Sequence, residues 1–327
     1  MNILVVGGAG YIGSHMVKHL MGKGHQVIVV DNLSTGYRDA VLADSFFQID
    51  IANRSELDQV FQHHPIDAVF HFASYIQVGE SVIAPAKYYE NNVSATLTLL
   101  QAMVAADVKK FVFSSTAAVY GNPEYVPIDE AHPKQPINPY GQSKLMVERI
   151  LQDFDHAYGL KFVCLRYFNA AGADPDALLG ERHEPETHLI PLVLQAASGR
   201  REAINVFGQD YETDDGTCVR DYIHIVDLAD AHLKAVDYLN AGHASRAFNL
   251  GNGNGFSVNQ IIQAAEAVTG KTIPVIYGER REGDPAILVA DATAANHILG
   301  WTPQCSDIKT IIANAWAWEQ KFPWASL

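Results

Sequence analysis

The chain is expected to fold as an α/β protein, a doubly wound parallel sheet with a second, smaller mixed α/β unit toward the C-terminus. Three observations carry that expectation. Apolar runs alternate with helix-period segments over residues 1 to about 170, the pattern of a parallel sheet covered on both faces. The first run stops abruptly at Gly7-Gly8-Ala9-Gly10-Tyr11-Ile12-Gly13, and a helical pattern follows. The second run ends in an acid, Asp31, eighteen residues past Gly13.

Strand, tight turn and helix in that order make Gly8, Gly10 and Gly13 a match to G-x-G-x-x-G, the Rossmann-type dinucleotide fingerprint. In this reading Gly8 takes backbone angles closed to other residues. Gly10 lets the main chain approach a pyrophosphate, and Gly13 lets the helix pack closely on the strand. The helix N-terminus then offers free N–H groups and partial positive charge to phosphates. Glycines also punctuate ordinary turns, so the context decides. Asp31 sits near the roughly 20-residue spacing of a ribose-binding carboxylate. There it would bond the adenosine ribose and repel a 2′-phosphate, which favours NAD over NADP. The plainer reading of Asp31 is a turn cap.

Bulk properties narrow the class. At 327 residues and 48% hydrophobic content the chain can bury a large core in two domains or one extended one. It has no apolar run of 18 residues, so no membrane span is expected. Cys164, Cys218 and Cys305 are few, odd in number and without C-x-x-C spacing, which favours a reducing compartment over a disulfide framework. The first strand starts at residue 2 and leaves no room for a signal peptide before it, so a cytoplasmic location is expected. The net charge of −14 argues against a nucleic-acid surface, while a few local arginines remain free to hold a small anion.

The strand candidates are Ile3–Val6, Val27–Val30, Phe46–Ile49, Ala68–Phe72, Phe111–Ser114 and Phe162–Phe168. Between them, Ile12, Met16, Val17 and Leu20 share one helical face. Asn53 and Glu56 read as a cap pair ahead of Leu57, Val60 and Phe61, and Thr96, Leu97, Leu100 and Val104 belong to a longer helix. Ligands of such sheets bind beyond the carboxyl ends of the strands. Polar residues follow those ends at Asp31-Asn32, Asp50, Ser74, Ser114-Ser115-Thr116 and Asn169.

A proline-rich loop, Tyr120 to Pro139, leads into Tyr140-Gly141-Gln142-Ser143-Lys144 at the start of a helix whose apolar face is Val147, Ile150, Leu151 and Phe154. Tyr140 and Lys144 are spaced i, i+4 and share a face. An ammonium near a phenol stabilises the phenolate, which makes tyrosine usable as an acid/base near neutral pH. The spacing alone arises easily by chance. Its position after a hydroxyl-bearing strand end and a dinucleotide turn favours catalysis.

In the second half, Leu189–Ala197 reads as helix and Ile204–Phe207 as strand. Val219–Ile225, helical Val226–Leu239 and strand Phe248–Leu250 are expected to return to the first domain. Ser257 and Gln260 form a capping-box signal for a helix through Val268. Strand Pro274–Tyr277, helix Asp291–Leu299 and an aromatic final helix with Trp316 and Trp318 close the chain. Arg220 and Arg281, the latter three residues before Asp284, suit a diphosphate and a ribose, although surface salt bridges are the plainer reading. His183-Glu-Pro-Glu-Thr-His188 is one residue too long for H-E-x-x-H and Pro185 breaks the helix that motif needs, so no metal site is expected.

The glycine turn, a Ser/Thr strand end and Tyr-x-x-x-Lys resemble the extended short-chain dehydrogenase/reductases. Longer stretches narrow the resemblance: Asp31-Asn-Leu-Ser34, Val78-Gly-Glu-Ser81, Tyr88-Tyr-Glu-Asn-Asn-Val93, Val119-Tyr-Gly121, Asn138-Pro-Tyr-Gly141, Arg166-Tyr-Phe-Asn169, Val219-Arg-Asp-Tyr-Ile-His224 and Arg280-Arg-Glu-Gly-Asp284. Within that superfamily the chain is similar to the UDP-glucose 4-epimerase family over nearly its whole length.

The resemblance implies a Rossmann-type NAD-binding domain at 1–170, joined by about 216–250, and a UDP-sugar-binding domain at 171–327. It implies catalysis by Tyr140, Lys144 and Thr116. NAD contacts are expected at Gly7, Gly10, Tyr11, Ile12, Gly13, Asp31, Asn32, Ser34, Thr35, Gly36, Asp50, Ile51, Phe72, Ala73, Ser74, Asn91, Thr116, Tyr140, Lys144 and Phe168. UDP-sugar contacts are expected at Thr116, Tyr140, Asn169, His188, Leu189, Asn205, Phe207, Arg220, Arg281 and Asp284. The implied reaction interconverts UDP-galactose and UDP-glucose through a transient 4-keto sugar, with NAD bound throughout. A homodimer is expected through helices bearing Leu97 and Leu151.

Two departures stand out. Ile76 occupies a position where some members carry lysine, and Leu288 aligns with the position thought to gate N-acetylated sugars. Other UDP-sugar 4-epimerases (on N-acetylhexosamines, pentoses or uronates) are the nearest alternatives. A sugar-nucleotide dehydratase would carry acids after Thr116, where Ala117 and Ala118 stand. A non-catalytic NAD-sensing protein would lack the intact Tyr/Lys pair.

Overall fold

The structure is a computed structural model that describes residues 1–281, 284–322 and 324. Glu282 and Gly283 of the Arg280–Asp284 motif lie outside the described residues. Strands β1 (Asn2–Val6), β2 (Gln26–Asp31), β3 (Ser45–Gln48), β4 (Ala68–His71), β5 (Lys110–Thr116) and β6 (Lys161–Tyr167) fall on the six apolar runs, with ends moved by one or two residues. Further strands are β7 (Asn169–Ala171), β8 (Ile204–Phe207), β9 (Val219–His224), β10 (Arg246–Leu250), β11 (Gly255–Ser257), β12 (Val275–Gly278) and β13 (Ile287–Leu288).

The central sheet is parallel and runs β10-β6-β5-β4-β1-β2-β3. Strand order reverses between β1 and β4, and that reversal opens a crevice at the carboxyl ends of the strands. The helices are α1 (Tyr11–Gly22), α2 (Arg54–His63), α3 (Val78–Ile83), α4 (Pro85–Tyr88), α5 (Thr96–Ala105), α6 (Pro139–Tyr158), α7 (Leu189–Ser198), α8 (Ile225–Asn240), α9 (Val258–Thr269), α10 (Thr293–Ile298) and α11 (Ile308–Lys321). A π-helical segment, Tyr89–Ala95, joins α4 to α5.

Alternate residues of each strand enter opposite cores, because side chains switch faces at every step. Ile3, Val5, Val29 and Phe70 pack against Met16, Val17 and Leu20 of α1 and against α8. Leu4, Val6, Val30 and Val69 pack against α2, α5 and α6. Both faces are covered, which is why these strands read as continuous apolar runs. A third core joins α7, β8, α9 and α11 through Ile190, Val206, Ile261 and Ile311. The Ser257–Gln260 capping box forms with both of its bonds.

Two expectations change. Strand β9 leaves the central sheet for a small one, β11-β9-β13 with β7 alongside, while α8 and β10 do pack with the central sheet. The short partners β7, β11 and β13 have two or three residues each, too few to show a period in sequence. Leu151 does not sit on a free face: it is fully buried in the core with Val147 and Cys164. Leu97 is half-buried.

Candidate active site

The glycine turn is tighter than its spacing implied. The residue with positive φ is Gly7 (φ 82°), not Gly8, and a Cβ at Gly7 would lie 2.5 Å from the Ala73 nitrogen. Gly8 is confined instead by packing, since a Cβ there would lie 2.7 Å from Val29 Cγ1. At Gly13 a Cβ would lie 2.0 Å from the Gly7 carbonyl oxygen, so α1 starts in direct contact with the turn. Gly10 differs from these. Its Cβ would meet only the Gly7 oxygen, at an ordinary 3.5 Å. No protein atom demands glycine there, and the open space lies over the first turn of α1.

That turn has no side-chain cap and no acid. The N–H groups at its start therefore have no intrahelical acceptor and face an anion-sized opening. Tyr11 anchors the turn to the second half of the chain by donating from Oη to the Gly172 oxygen at 2.7 Å, and Ile12 packs against the core.

Asp31 closes the next part of the crevice. Its carboxylate is buried and accepts the N–H of Ala9 at 2.9 Å and of Leu33 at 2.8 Å. Each oxygen keeps a lone pair for a further donor. Asp31 is thus both turn clamp and available acceptor. Asn32 donates to Asp50 Oδ2 at 2.9 Å and accepts the N–H of Ser34. Ser34 and Thr35 are exposed, and Gly36 lies so close under Ala9 that a Cβ would approach its carbonyl carbon to 2.8 Å. Ile51 supplies a buried apolar wall. The open first turn of α1, the free lone pairs of Asp31 and this pocket fit an NAD molecule laid across the switch point.

Phe72, Ala73 and Ser74 follow β4, and Phe72 packs 4.9 Å from the His232 ring. Ile76 is exposed in the loop beyond. Asn91 bonds only its neighbour Asn92. It is Asn92 that is buried, holding both the N–H and the carbonyl of Tyr75 and reaching Ser143. The π-helical turn thus commits Asn92 to the protein interior and leaves Asn91 half-buried beside it.

The Tyr/Lys pair opens α6, whose N-terminus is fixed by Asn138 accepting the Gly141 N–H at 2.8 Å, with Pro139 in the first turn. Lys144 is 1% exposed and donates to Ser74 Oγ at 2.7 Å and to the Ser114 oxygen at 2.9 Å. Its Nζ lies 6.0 Å from the Tyr140 ring centroid.

The expected lowering of the phenol does not occur in this arrangement. Burial raises the Tyr140 phenol above its ordinary value, and a hydrogen bond with Thr116 pulls it partly back. Burial also pushes the Lys144 amine down to about 7. Tyr140 remains partly accessible as a residue while its hydroxyl end is desolvated. An ammonium beside the ring favours the phenolate, so the balance depends on whether Lys144 is protonated.

A buried polar network that sequence reasoning missed sits behind the strand end. Ser115 donates to Glu148 at 2.6 Å, and Arg166 forms a forked pair with both Glu148 oxygens. Arg166 also donates to Tyr120 Oη at 2.9 Å, and Tyr120 donates to Asn249 at 2.6 Å. The network joins β5, α6, β6 and β10 and fixes the strand end that carries Thr116. Its only sequence signal was two charges inside otherwise apolar elements. A cleft of about 530 Å³ touches Glu148 and Arg166 from the far side, near Lys161 and Arg246 at the amino ends of β6 and β10, away from Tyr140.

Opposite Tyr140 stand the residues expected to hold a nucleotide. Phe168 packs with Leu288 against Val119, Tyr120, Ile128 and Leu145. Asn169 on β7 donates to the Asp221 oxygen. Asn205 and Phe207 share the outer face of β8, and Arg281 lies over the Phe207 ring at 3.9 Å. Asp284 pairs with Arg220, at 3.0 Å, rather than acting with Arg281. Leu189 opens α7, and His188 before it turns Nδ1 toward Glu181, at 2.7 Å.

A doubly wound sheet with a glycine turn at its switch point, and a Tyr/Lys pair beside a hydroxyl-bearing strand end, defines a dinucleotide-dependent enzyme of the short-chain dehydrogenase/reductase type. The chain belongs to the NAD dependent epimerase/dehydratase family, whose model matches residues 3–251. It is 56% identical over 326 residues to a UDP-glucose 4-epimerase of Streptococcus mutans, covering 99% of this chain and 98% of that protein. Among solved structures it is similar to the UDP-glucose 4-epimerase of Brucella ovis in complex with NAD (TM-score 0.95, 49% identity, 97% of each chain). It is also similar to that of Bifidobacterium longum in complex with NAD+ and UDP (TM-score 0.93, 40% identity, 99% of each chain). No helix among the described residues is long and apolar enough to cross a membrane.

Proposed function

We propose that the protein is an NAD-dependent UDP-glucose 4-epimerase that interconverts UDP-galactose and UDP-glucose. The observation that carries this reading is the convergence of Thr116, Tyr140 and Lys144 at the carboxyl end of β5, facing the glycine turn across the switch point. Bound NAD supplies a reversible hydride acceptor for the sugar's C4, so no net oxidation results.

The protein's own groups handle the proton. Tyr140 Oη takes the proton of the 4-hydroxyl, directly or through Thr116 Oγ1, and returns it once the 4-keto sugar has presented its other face. Protonated Lys144 lowers the cost of the phenolate; held at the strand ends by Ser74 and Ser114, it would also bond the nicotinamide ribose of NAD. Arg220 and Arg281 grip the diphosphate, and Asp284, Asn205, Phe207, Asn169, His188 and Leu189 hold the rest of the nucleotide. Anchoring at UDP leaves the sugar free to turn between two hydride transfers.

In this reading residues 1–170 with about 216–250 form the NAD-binding unit, and 171–327 hold the UDP-sugar. Three free thiols suit a reducing cytoplasm. A homodimer would form through the half-buried apolar side chains of α5 and α6, Leu97, Val104, Met146, Ile150 and Phe154, rather than through Leu151.

The test is to incubate the purified protein with UDP-galactose and no added acceptor and to analyse the product sugar. UDP-glucose is expected. A panel of UDP-N-acetylhexosamines, pentoses and uronates run beside it identifies a different sugar preference.

A further inference from the structure

The segment between β7 and α7 carries a second constellation that the epimerase reaction does not use as a unit. Glu181, His183, Glu186 and His188 each contribute one donor atom to a single cluster, with all four atoms within 4.8 Å of one another. His183 Nδ1 lies 3.2 Å from Glu181 Oε1 and 3.6 Å from Glu186 Oε2. His188 Nδ1 lies 2.7 Å from Glu181 Oε1 and 3.2 Å from Glu186 Oε1. Bonds of about 2.0–2.1 Å around a tetrahedral ion set its four donors roughly 3.3 Å apart, close to these spacings.

An ion-pair cluster would align each ring N–H on a carboxylate oxygen. Neither Nδ1 does so, and both are buried without a hydrogen-bond partner. The H-E-x-x-H argument does not apply here, because the four ligands come from irregular chain and owe nothing to helical spacing.

We propose that Glu181, His183, Glu186 and His188 form a site for one divalent transition-metal ion of the zinc class. Two imidazoles and two carboxylates without a thiolate suit Zn²⁺ better than Mg²⁺ or Ca²⁺, which take all-oxygen shells. The role is structural. His183 stands edge-on to Tyr11 of the glycine turn, with ring centroids 6.3 Å apart, and His188 is the N-cap residue of α7. Trp318 of α11 donates to the backbone carbonyl oxygen of Glu181 at 3.2 Å. An ion here ties the cofactor turn to the helix that begins the nucleotide-binding side. His188 also belongs to the nucleotide-holding set proposed above; its Nδ1 is the atom in this cluster, which leaves Nε2 and the main chain for the nucleotide.

The experiment uses the full-length enzyme purified from zinc-supplemented medium with its NAD. Elemental analysis should find one zinc per chain. After chelation, Co²⁺ should restore the visible absorption of a tetrahedral site, and the thermal midpoint lost on chelation should return with Zn²⁺ but not with Mg²⁺. The double variant His183→Asn/Glu186→Gln should bind Zn²⁺ roughly 100-fold or more weakly. The control His63→Asn/His64→Asn, which removes two histidines remote from this segment, should bind it normally. If the cluster variant does not fold, the Co²⁺ spectrum and the chelation response of the unaltered enzyme decide the question. Substoichiometric zinc, no tetrahedral Co²⁺ band, or loss of metal only in the control variant would overturn the proposal.

Discussion

The cofactor side and the nucleotide side of the crevice are assembled from different materials. On the cofactor side, recognition comes largely from backbone: the first turn of α1, the glycine contacts at 7, 8 and 13, and a carboxylate, Asp31, clamped by two N–H groups. Its parts follow one another closely in sequence. On the proposed nucleotide side, the expected contacts are side chains spread from Asn169 to Asp284 and carried by short strands and loops. Some are held by each other, as Arg220 is by Asp284 and Phe207 by Arg281. A backbone-built site tolerates almost no added atoms. A side-chain-built site loses its function one contact at a time.

That contrast can be broken or sharpened by experiment. The largest effect belongs to the group where the two sides meet. Tyr140→Phe should lower kcat by roughly 10³-fold or more while leaving the thermal midpoint within a degree or two, read by product analysis and by calorimetry. Normal turnover in this variant would remove the phenol from the mechanism.

On the cofactor side, Gly13→Ala drives a methyl into the Gly7 carbonyl, 2.0 Å from the new atom. The expected cost is ~3 kcal/mol of stability, with loss of bound NAD, seen in denaturant titration and cofactor content. Gly10→Ala should leave stability nearly unchanged and weaken NAD alone. Equal losses of stability in the two variants would deny that the opening at Gly10 is a ligand space.

On the nucleotide side, Arg220→Met should raise KM for the UDP-sugar about 10- to 100-fold with a smaller change in kcat, the signature of lost uniform binding. A pure kcat effect would move Arg220 into the chemistry.

The smallest expected effect concerns Lys144. Its amine is held at about 7 in the folded protein against an ordinary 10.5. Between those values the unfolded chain binds more protons, so this group makes stability rise with pH from about 7 to 10.5. Its burial penalty is fully present below pH 7. Lys144→Met should therefore gain in thermal midpoint relative to the unaltered protein at pH 7, by ~2 °C after the two lost hydrogen bonds, and the gain should vanish as pH approaches 10. A difference that does not vary with pH would mean the lysine is not desolvated.

The same division governs what could be read from the sequence. The six long strands, the glycine turn and the Ser257–Gln260 cap are local, and their periods and spacings named them directly. Tyr140 and Lys144 could be paired because a helix fixes i, i+4. The role of Gly8 was misassigned because two adjacent glycines look alike until the neighbouring Ala73 and Val29 are in place. The structural part played by Asn92 had no local signal, because a π turn shifts the inward face by a residue. The environment of Tyr140 was misjudged because burial is set by the whole fold and acts on the lysine as strongly as on the phenol. The nucleotide contacts are expected chiefly from family resemblance, since arginines on short strands carry no period of their own and read as readily as surface salt bridges. The side chains at 181–188 were weighed only against a helical metal motif, a rule that says nothing about an irregular segment.

The forked pair of Glu148 and Arg166 under Ser115 carries a consequence for how this protein can change over time. Removing either charge alone strands the other in a dry interior, at ~3–5 kcal/mol. Replacing both with well-packed apolar residues is close to neutral by the same physics. Each position is therefore frozen while its partner stands, and lineages can cross from one solution to the other only by altering both sites nearly at once. In a set of descendants these two columns should vary together or not at all.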